Sequence, residues 1–165
     1  MPATYEAIGA TTLGSASSTI TFSSIPNTYT DLKLILVPRV QATNANIVVT
    51  LNGSTTTYSQ NNIYTTGSSR TADRLTGNFD GWYITQANLG STTIPTLYIV
   101  DIFSYTDSTF KGSLFTSSQD QNGSGAVLRG AGLWRNTSAV TSVGLLQSSN
   151  FSAGTTATLY GIKSA

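Results

Sequence analysis

Two side chains are missing from this sequence altogether. It has no cysteine, so neither a disulfide nor a thiolate metal site can form. It has no histidine, which removes the commonest general base and the commonest metal ligand together. Charge is scarce as well: 9% of residues are Asp, Glu, Lys or Arg, and the eight cations and seven anions lie scattered along the chain. A nucleic-acid-binding surface needs Lys and Arg clustered on one face. A membrane-surface helix needs a basic amphipathic stretch. The sequence carries neither, and no run approaches the roughly 20 apolar residues of a bilayer span. Residues 1–12 also lack the basic start and continuous apolar run of a secretory leader. Nucleic acid, membrane, metal and cofactor are therefore not expected as partners, and an enzyme would have to work without imidazole or thiolate.

What the chain does contain is Thr and Ser, 28 and 22 of them, in a sequence of 165 residues that is 39% hydrophobic. Helix formers are few and β-branched residues many, which predicts an all-β protein whose solvent faces are hydroxylic rather than charged. The length fits one domain with its own core. No linker or fixed-period repeat divides it.

Period-two alternation marks the strands. In residues 17–22, Ile20 and Phe22 share a face. In residues 31–40, Leu32, Leu34 and Leu36 form one face, while Ile35 and Val37 share the other with Lys33. Pro38 is expected to end that strand or put it at an edge. Residues 46–51 repeat the form, and Asn52-Gly53 reads as a hairpin turn. Residues 54–81 are mostly polar and read as short strands joined by long loops, with at most one helical turn at 70–75. A strand follows at 81–85. Residues 96–105, TLYIVDIFSY, are apolar on both faces and predict a strand in the middle of a sheet, with 110–116 as its hairpin partner. Strands at 126–135, 140–146 and 156–163 complete the set. Glycines in AVLRGAGLWR invite a bulge or close packing there. The expected fold is an antiparallel β-sandwich, jelly-roll-like, with long polar loops. It is a single domain over residues 1–165, with 1–14 as an N-terminal arm.

Few residues suggest chemistry. The acids Asp73, Asp80, Asp107 and Asp120 sit beside Gly, Asn, Ser or Thr, where turn and cap duty accounts for them. DQNGSG from Asp120 imitates the start of a calcium loop, but position twelve, which should be a bidentate Glu, is Ala131. It reads as a hairpin turn. Four Asn-X-Ser/Thr sequons, at Asn52, Asn122, Asn136 and Asn150, are the number expected by chance in so hydroxylic a chain. Asp101 stands out because it lies inside an apolar strand, where an unpaired charge is costly. It is expected to face outward with Leu97, Ile99 and Phe103, or to pair with an arginine such as Arg129. Trp82-Tyr83 and Trp134-Arg135 offer two readings, a platform for sugar rings or core and interface positions rich in Trp and Arg. With Tyr5 and Glu6 of the N-terminal stretch, the candidate interface is Tyr5, Glu6, Trp82, Tyr83, Asp101, Arg129, Trp134 and Arg135.

Two stretches resemble a known group. Residues 4–39, TYEAIGATTLGSASSTITFSSIPNTYTDLKLILVPR, resemble the start of small virion proteins of tailed bacteriophages, common in phages of cyanobacteria and other aquatic bacteria. Residues 130–165, which close on Leu-Tyr-Gly-Ile-Lys-Ser-Ala, resemble their end. Residues 41–129 between them carry no motif that aligns. The resemblance implies a jelly-roll or related sandwich without enzymatic activity, placed in the virion. One implied role is a decoration or cement protein on the capsid surface, a homotrimer bound to the major capsid protein. The other is a tail fibre or spike domain that binds host surface glycans. It makes the N-terminal stretch part of the subunit wall. The two-sided apolar strand at 96–105 leads to the same expectation of a neighbouring copy, because one sandwich covers only one face of it.

Overall fold

The computed structural model describes residues 4–39, 46–85, 94, 96–122 and 124–163. Among these there is no helix, and the strands are β1 (Tyr5–Thr12), β2 (Ser17–Phe22), β3 (Asp31–Val37), β4 (Ile47–Leu51), β5 (Tyr58–Thr66), β6 (Ser69–Phe79), β7 (Trp82–Tyr83), β8 (Leu97–Phe103), β9 (Lys111–Asp120), β10 (Gly125–Trp134), β11 (Val143–Phe151) and β12 (Thr156–Ile162). They form two antiparallel sheets packed face to face. The larger has the order β1-β12-β3-β8-β9-β10-β5-β6, and the smaller β2-β11-β4-β7. The chain stays in one sheet only through the hairpins β5–β6, β8–β9 and β9–β10, and otherwise crosses to the other sheet at each step. That repeated crossing is the jelly-roll habit.

Alternation explains the core. The inward residues Leu32, Leu34 and Leu36 of β3, with Val100 and Ile102 of β8 and Leu159 of β12, are fully buried. They meet Ile47, Val49, Leu51, Val143 and Leu145 of the smaller sheet in one hydrophobic cluster. Each such side chain contributes about 1.5–3 kcal/mol by leaving water. β8 lies between β3 and β9, the interior position expected of it.

Four sequence expectations change. Residues 54–81 are not short strands and loops but a long hairpin of β5 and β6, and 70–75 is strand rather than a helical turn. Its two-residue turn, Gly67-Ser68, has positive φ at Gly67 alone (57°), the II′ pattern whose twist suits a hairpin. The hairpin was hard to see because the inward residues of β5 include Gln60 and Asn62, 3% and 2% exposed, so no apolar alternation marks it. Asn52-Gly53 is a tight turn with positive φ at both residues, closed by Ser54 N–H donating to Leu51 C=O (2.9 Å), but it is not a hairpin. β4 and β5 lie in different sheets. The Asn52 side chain explains the departure: its Oδ1 accepts from the Thr141 and Ser142 amides (2.8 and 3.1 Å) and its Nδ2 donates to Ala139 C=O (2.8 Å), tying the turn to the approach of β11. The strand expected at 140–146 runs instead from Val143 to Phe151. Of the stretch expected to be an N-terminal arm, Tyr5–Thr12 is β1, an edge strand laid along β12. Residues 1–3 of the expected arm and Val40, the last residue of the stretch expected at 31–40, lie outside the described residues.

The glycines of β10 serve close packing rather than a bulge, since β10 holds unbroken register with β5 and β9. A methyl added at Gly132 would lie 2.5 Å from Trp82 Nε1, so the indole can seat there only because position 132 has no side chain. The Asp120 sequence is the β9–β10 hairpin turn, with the Asn122 amide donating to Asp120 Oδ1 (2.9 Å). Gly123 within it is outside the described residues.

Candidate functional site: the outward face of the larger sheet

Residues directly opposite one another in a sheet share a face. Following the register outward from β3 gives one row of Lys33, Asp101, Leu114, Ala131, Asn61 and Arg74. Two residues along each strand, a second row runs Ile35, Ile99, Thr116, Arg129, Ile63 and Ala72. Leu133 and Val127 extend the face on either side along β10. None of these side chains points to the smaller sheet, because the other residue of each pair along the strand does so.

The face is unusually apolar for a surface. Among the described residues, eight large hydrophobic side chains are exposed, and seven of them lie here: Tyr5, Ile63, Leu97, Phe103, Leu114, Val127 and Leu133. Ile63 is 66% exposed and Leu114 53%. Contiguous apolar surface of this kind marks interaction sites more often than ordinary surface. The centre of the face holds a trough of about 980 Å³ lined by Ile99, Leu114 and Ala131 together with Lys33, Asp101 and Arg129.

The charges here are arranged by the same register. Asp101 faces outward with Leu97, Ile99 and Phe103, as expected, but its partner is a lysine rather than an arginine. Lys33, directly opposite on β3, lies 2.6 Å from its Oδ1. Arg129 is two strands away from Asp101, beyond β9, and its Nε donates to Thr116 Oγ1 at 3.2 Å. The guanidinium thus sits exposed in the trough, and the ion pairs among the described residues are Lys33–Asp101 and Lys163–Glu6.

The other candidate residues fall elsewhere. Trp82 and Trp134 are 0% and 1% exposed, so neither belongs to a surface. Tyr58 joins them, edge-on to Trp82 (5.6 Å between centroids) and stacked on Trp134 (6.0 Å, 18°). Gly132 leaves the room that the Trp82 indole fills, as Gly130 does for the Phe115 ring. Tyr83 and Arg135 gather at the far end of β6: the Tyr83 hydroxyl donates to Asp80 Oδ1 (2.7 Å), and Arg135 Nη2 donates to Gly77 C=O (3.3 Å). Accepting charge at Asp80 raises the Tyr83 phenol above its ordinary pKa. Tyr5 packs edge-on to Tyr160 of β12 (6.5 Å). Glu6, on the opposite side of β1, accepts from Lys163 Nζ (2.9 Å) and the Tyr29 hydroxyl (3.0 Å), and these bonds hold its carboxyl below the usual range. The sequence-chosen set is therefore four groups: Tyr5, Asp101 and Arg129 on the outward face, Glu6 on the other side of β1 with Lys163 and Tyr29, Tyr83 and Arg135 at the β6 end, and two tryptophans in the core.

One residue was missed. Lys111 is fully buried, and its ammonium donates to the carbonyls of Asp107 (2.5 Å), Thr109 (2.6 Å) and Thr137 (3.5 Å). Burial lowers its pKa. Alternation could have found it, since Lys111 shares the inward phase of Ser113 and Phe115. No three His, Cys, Asp or Glu side chains converge among the described residues.

The fold and this face define a jelly-roll-like β-sandwich with one large uncovered apolar surface. No protein-family model matches the chain, and no curated protein matches it.

Proposed function

We propose that the chain is a structural subunit of a tailed-bacteriophage virion, a decoration or cement protein that stabilises the head by binding the major capsid protein. The observation that carries this reading is the uncovered apolar outward face. A subunit whose work is to be held by neighbours needs such a face and needs no convergent reactive groups. The choice of assembly comes from the resemblance. Its two stretches supply β1, β2, β3, β11 and β12, which pair with one another as β1-β12-β3 and β2-β11. They are thus one structural frame rather than two unrelated ends.

The fibre or spike reading draws less support, because its sugar platform used Trp82 and Trp134, and both indoles are in the core. Antibody to the chain, applied to purified virions of a phage whose genome encodes it and followed by gold labelling, separates the two. Dense label over the head is the expected result. Label at a few points on the tail would replace cement with fibre, and no label on any particle would overturn the virion reading.

A further inference from the structure

The trough cannot be filled by a copy of itself. It is concave, so two such faces laid together would meet at their rims and leave the floors apart. Its occupant must be convex and apolar at the tip. It must also carry negative charge, since Arg129 on this face, and Arg74 at its β6 rim, have no acidic partner among the ion pairs of the described residues.

The chain itself displays such an element. Of the eight exposed large hydrophobics, the one outside a strand is Phe110, 52% exposed, in the loop between β8 and β9. Asp107 is exposed in the same loop. The loop is held rigid from beneath, because the buried Lys111 ammonium binds the carbonyls of Asp107 and Thr109. A fully buried cation is costly and is tolerated when its donors are all used. Here they hold a loop that carries an exposed aromatic ring and an acid. Preorganisation of that kind lowers the cost of ordering on binding. Phe110 stands off its own trough: Leu114 is four residues along β9, about 13 Å away.

We infer that this face seats a second copy of the chain, which inserts its 107–110 loop, with Phe110 against Leu114 and Ile63 and Asp107 toward Arg129. The area is adequate. Four rows across six strands, at about 4.8 Å between strands and 3.3 Å per residue, span roughly 700 Å², so a copy that covers the face around its inserted loop, and not the loop alone, approaches the ~800 Å² per partner of a standard interface. The contact is heterologous, knob to trough, so it closes into a ring when the rotation allows and otherwise grows as a filament. The inference stands on this face and loop alone, independent of which particle the protein belongs to.

Sedimentation and light scattering of the purified full chain over a wide concentration range test it. Wild type is expected to form a closed oligomer. Phe110→Ser and Leu114→Asp should each weaken association at least about tenfold, with circular dichroism and melting unchanged relative to a wild-type monomer, since both side chains are exposed. Asp107→Arg and Arg129→Glu should each weaken it by about 10- to 100-fold, and the double charge swap should recover most of the loss. A wild-type monomer at all concentrations would overturn the inference and leave the face to a different protein or a glycan. Dissociation by Leu114→Asp but not by Phe110→Ser would overturn the knob and leave a face-to-face contact. A swap that recovers nothing would overturn the charge pairing.

Discussion

The two halves of the eight-stranded sheet share one hydrogen-bonded ladder but are built differently inside. In β12, β3 and β8 the inward face is Leu, Ile, Val, Ala and Tyr, with a single glycine, Gly161, under the Tyr29 ring. In β9, β10 and β5 it includes Lys111, Ser113, Ser117, Gln119, Gln60 and Asn62, with glycines 130 and 132 between them. The first half is held by burial of aliphatic area. The second is held by large rings set over glycines and by hydrogen bonds, such as the Gln60 amide that brackets the Tyr83 backbone (2.7 and 3.0 Å). The lesson is that a sheet can be continuous in backbone and discontinuous in what stabilises it. The regular hydrogen-bonded ladder lets the side-chain strategy change from strand to strand.

If the second half depends on its rings, Trp134→Ala should be the most damaging change, costing about 3–5 kcal/mol in chemical denaturation. The ring is fully buried, stacked on Tyr58, and its Nε1 donates to Ser54 Oγ (3.4 Å). A loss under 1 kcal/mol would mean that the aliphatic half alone supports the fold. Gly132→Ala should come next, at about 1–3 kcal/mol, because the new methyl overpacks against Trp82. A neutral result would show that Trp82 can shift and that the glycine is not required by close approach.

Alkaline titration probes both halves at once. Tyr98, in the aliphatic half, and Tyr58, among the rings, each have the phenol pushed up to about 12, chiefly by burial. Since the folded value is raised, this stabilisation is complete below pH 10 and is lost as pH rises from 10 towards 12, where unfolded tyrosines ionise and folded ones resist. The melting temperature should fall across that window. Tyr98→Phe and Tyr58→Phe should each flatten the fall, and a fall unaffected by either would locate the sensitivity elsewhere. Tyr58→Phe should also cost more stability at neutral pH than removal of an exposed hydroxyl, since the Leu51 amide donates to this phenol oxygen (2.8 Å). The smallest effect belongs to Ser117→Ala. The hydroxyl is buried with no hydrogen-bond partner among the described residues, so its loss should change stability by less than about 0.5 kcal/mol or raise it. A loss of 1 kcal/mol or more would reveal a bond, for instance to a buried water, that makes the polar half more than a tolerated exception.

Legibility followed the same division. β3 and β8 could be read residue by residue, because in them the inward phase is apolar and the outward phase is not buried. Even the outward placement of Asp101 followed from that phase. The β5–β6 hairpin could not, since its inward Gln60 and Asn62 look like loop residues until the strands around them supply hydrogen bonds. The same blindness applied to the site. The sequence marked Asp101 and Arg129, which do lie on the uncovered face, but Trp82 and Trp134 were ambiguous, because an aromatic side chain fits a core and an interface equally well. Ile63 and Leu114 attracted no notice, for a single apolar residue in a polar stretch acquires meaning only when six strands bring others beside it.

Composition by itself determined that this protein is built of strands and that imidazole and thiolate chemistry lie outside its reach, because those are properties of residue type and local period. Which strands are neighbours, which alternate phase is left without cover, and that a lysine rather than an arginine answers Asp101 were decided by tertiary structure. Pairing in this fold joins residues far apart in the chain, such as Lys33 and Asp101, and no local pattern records which distant strand will lie alongside.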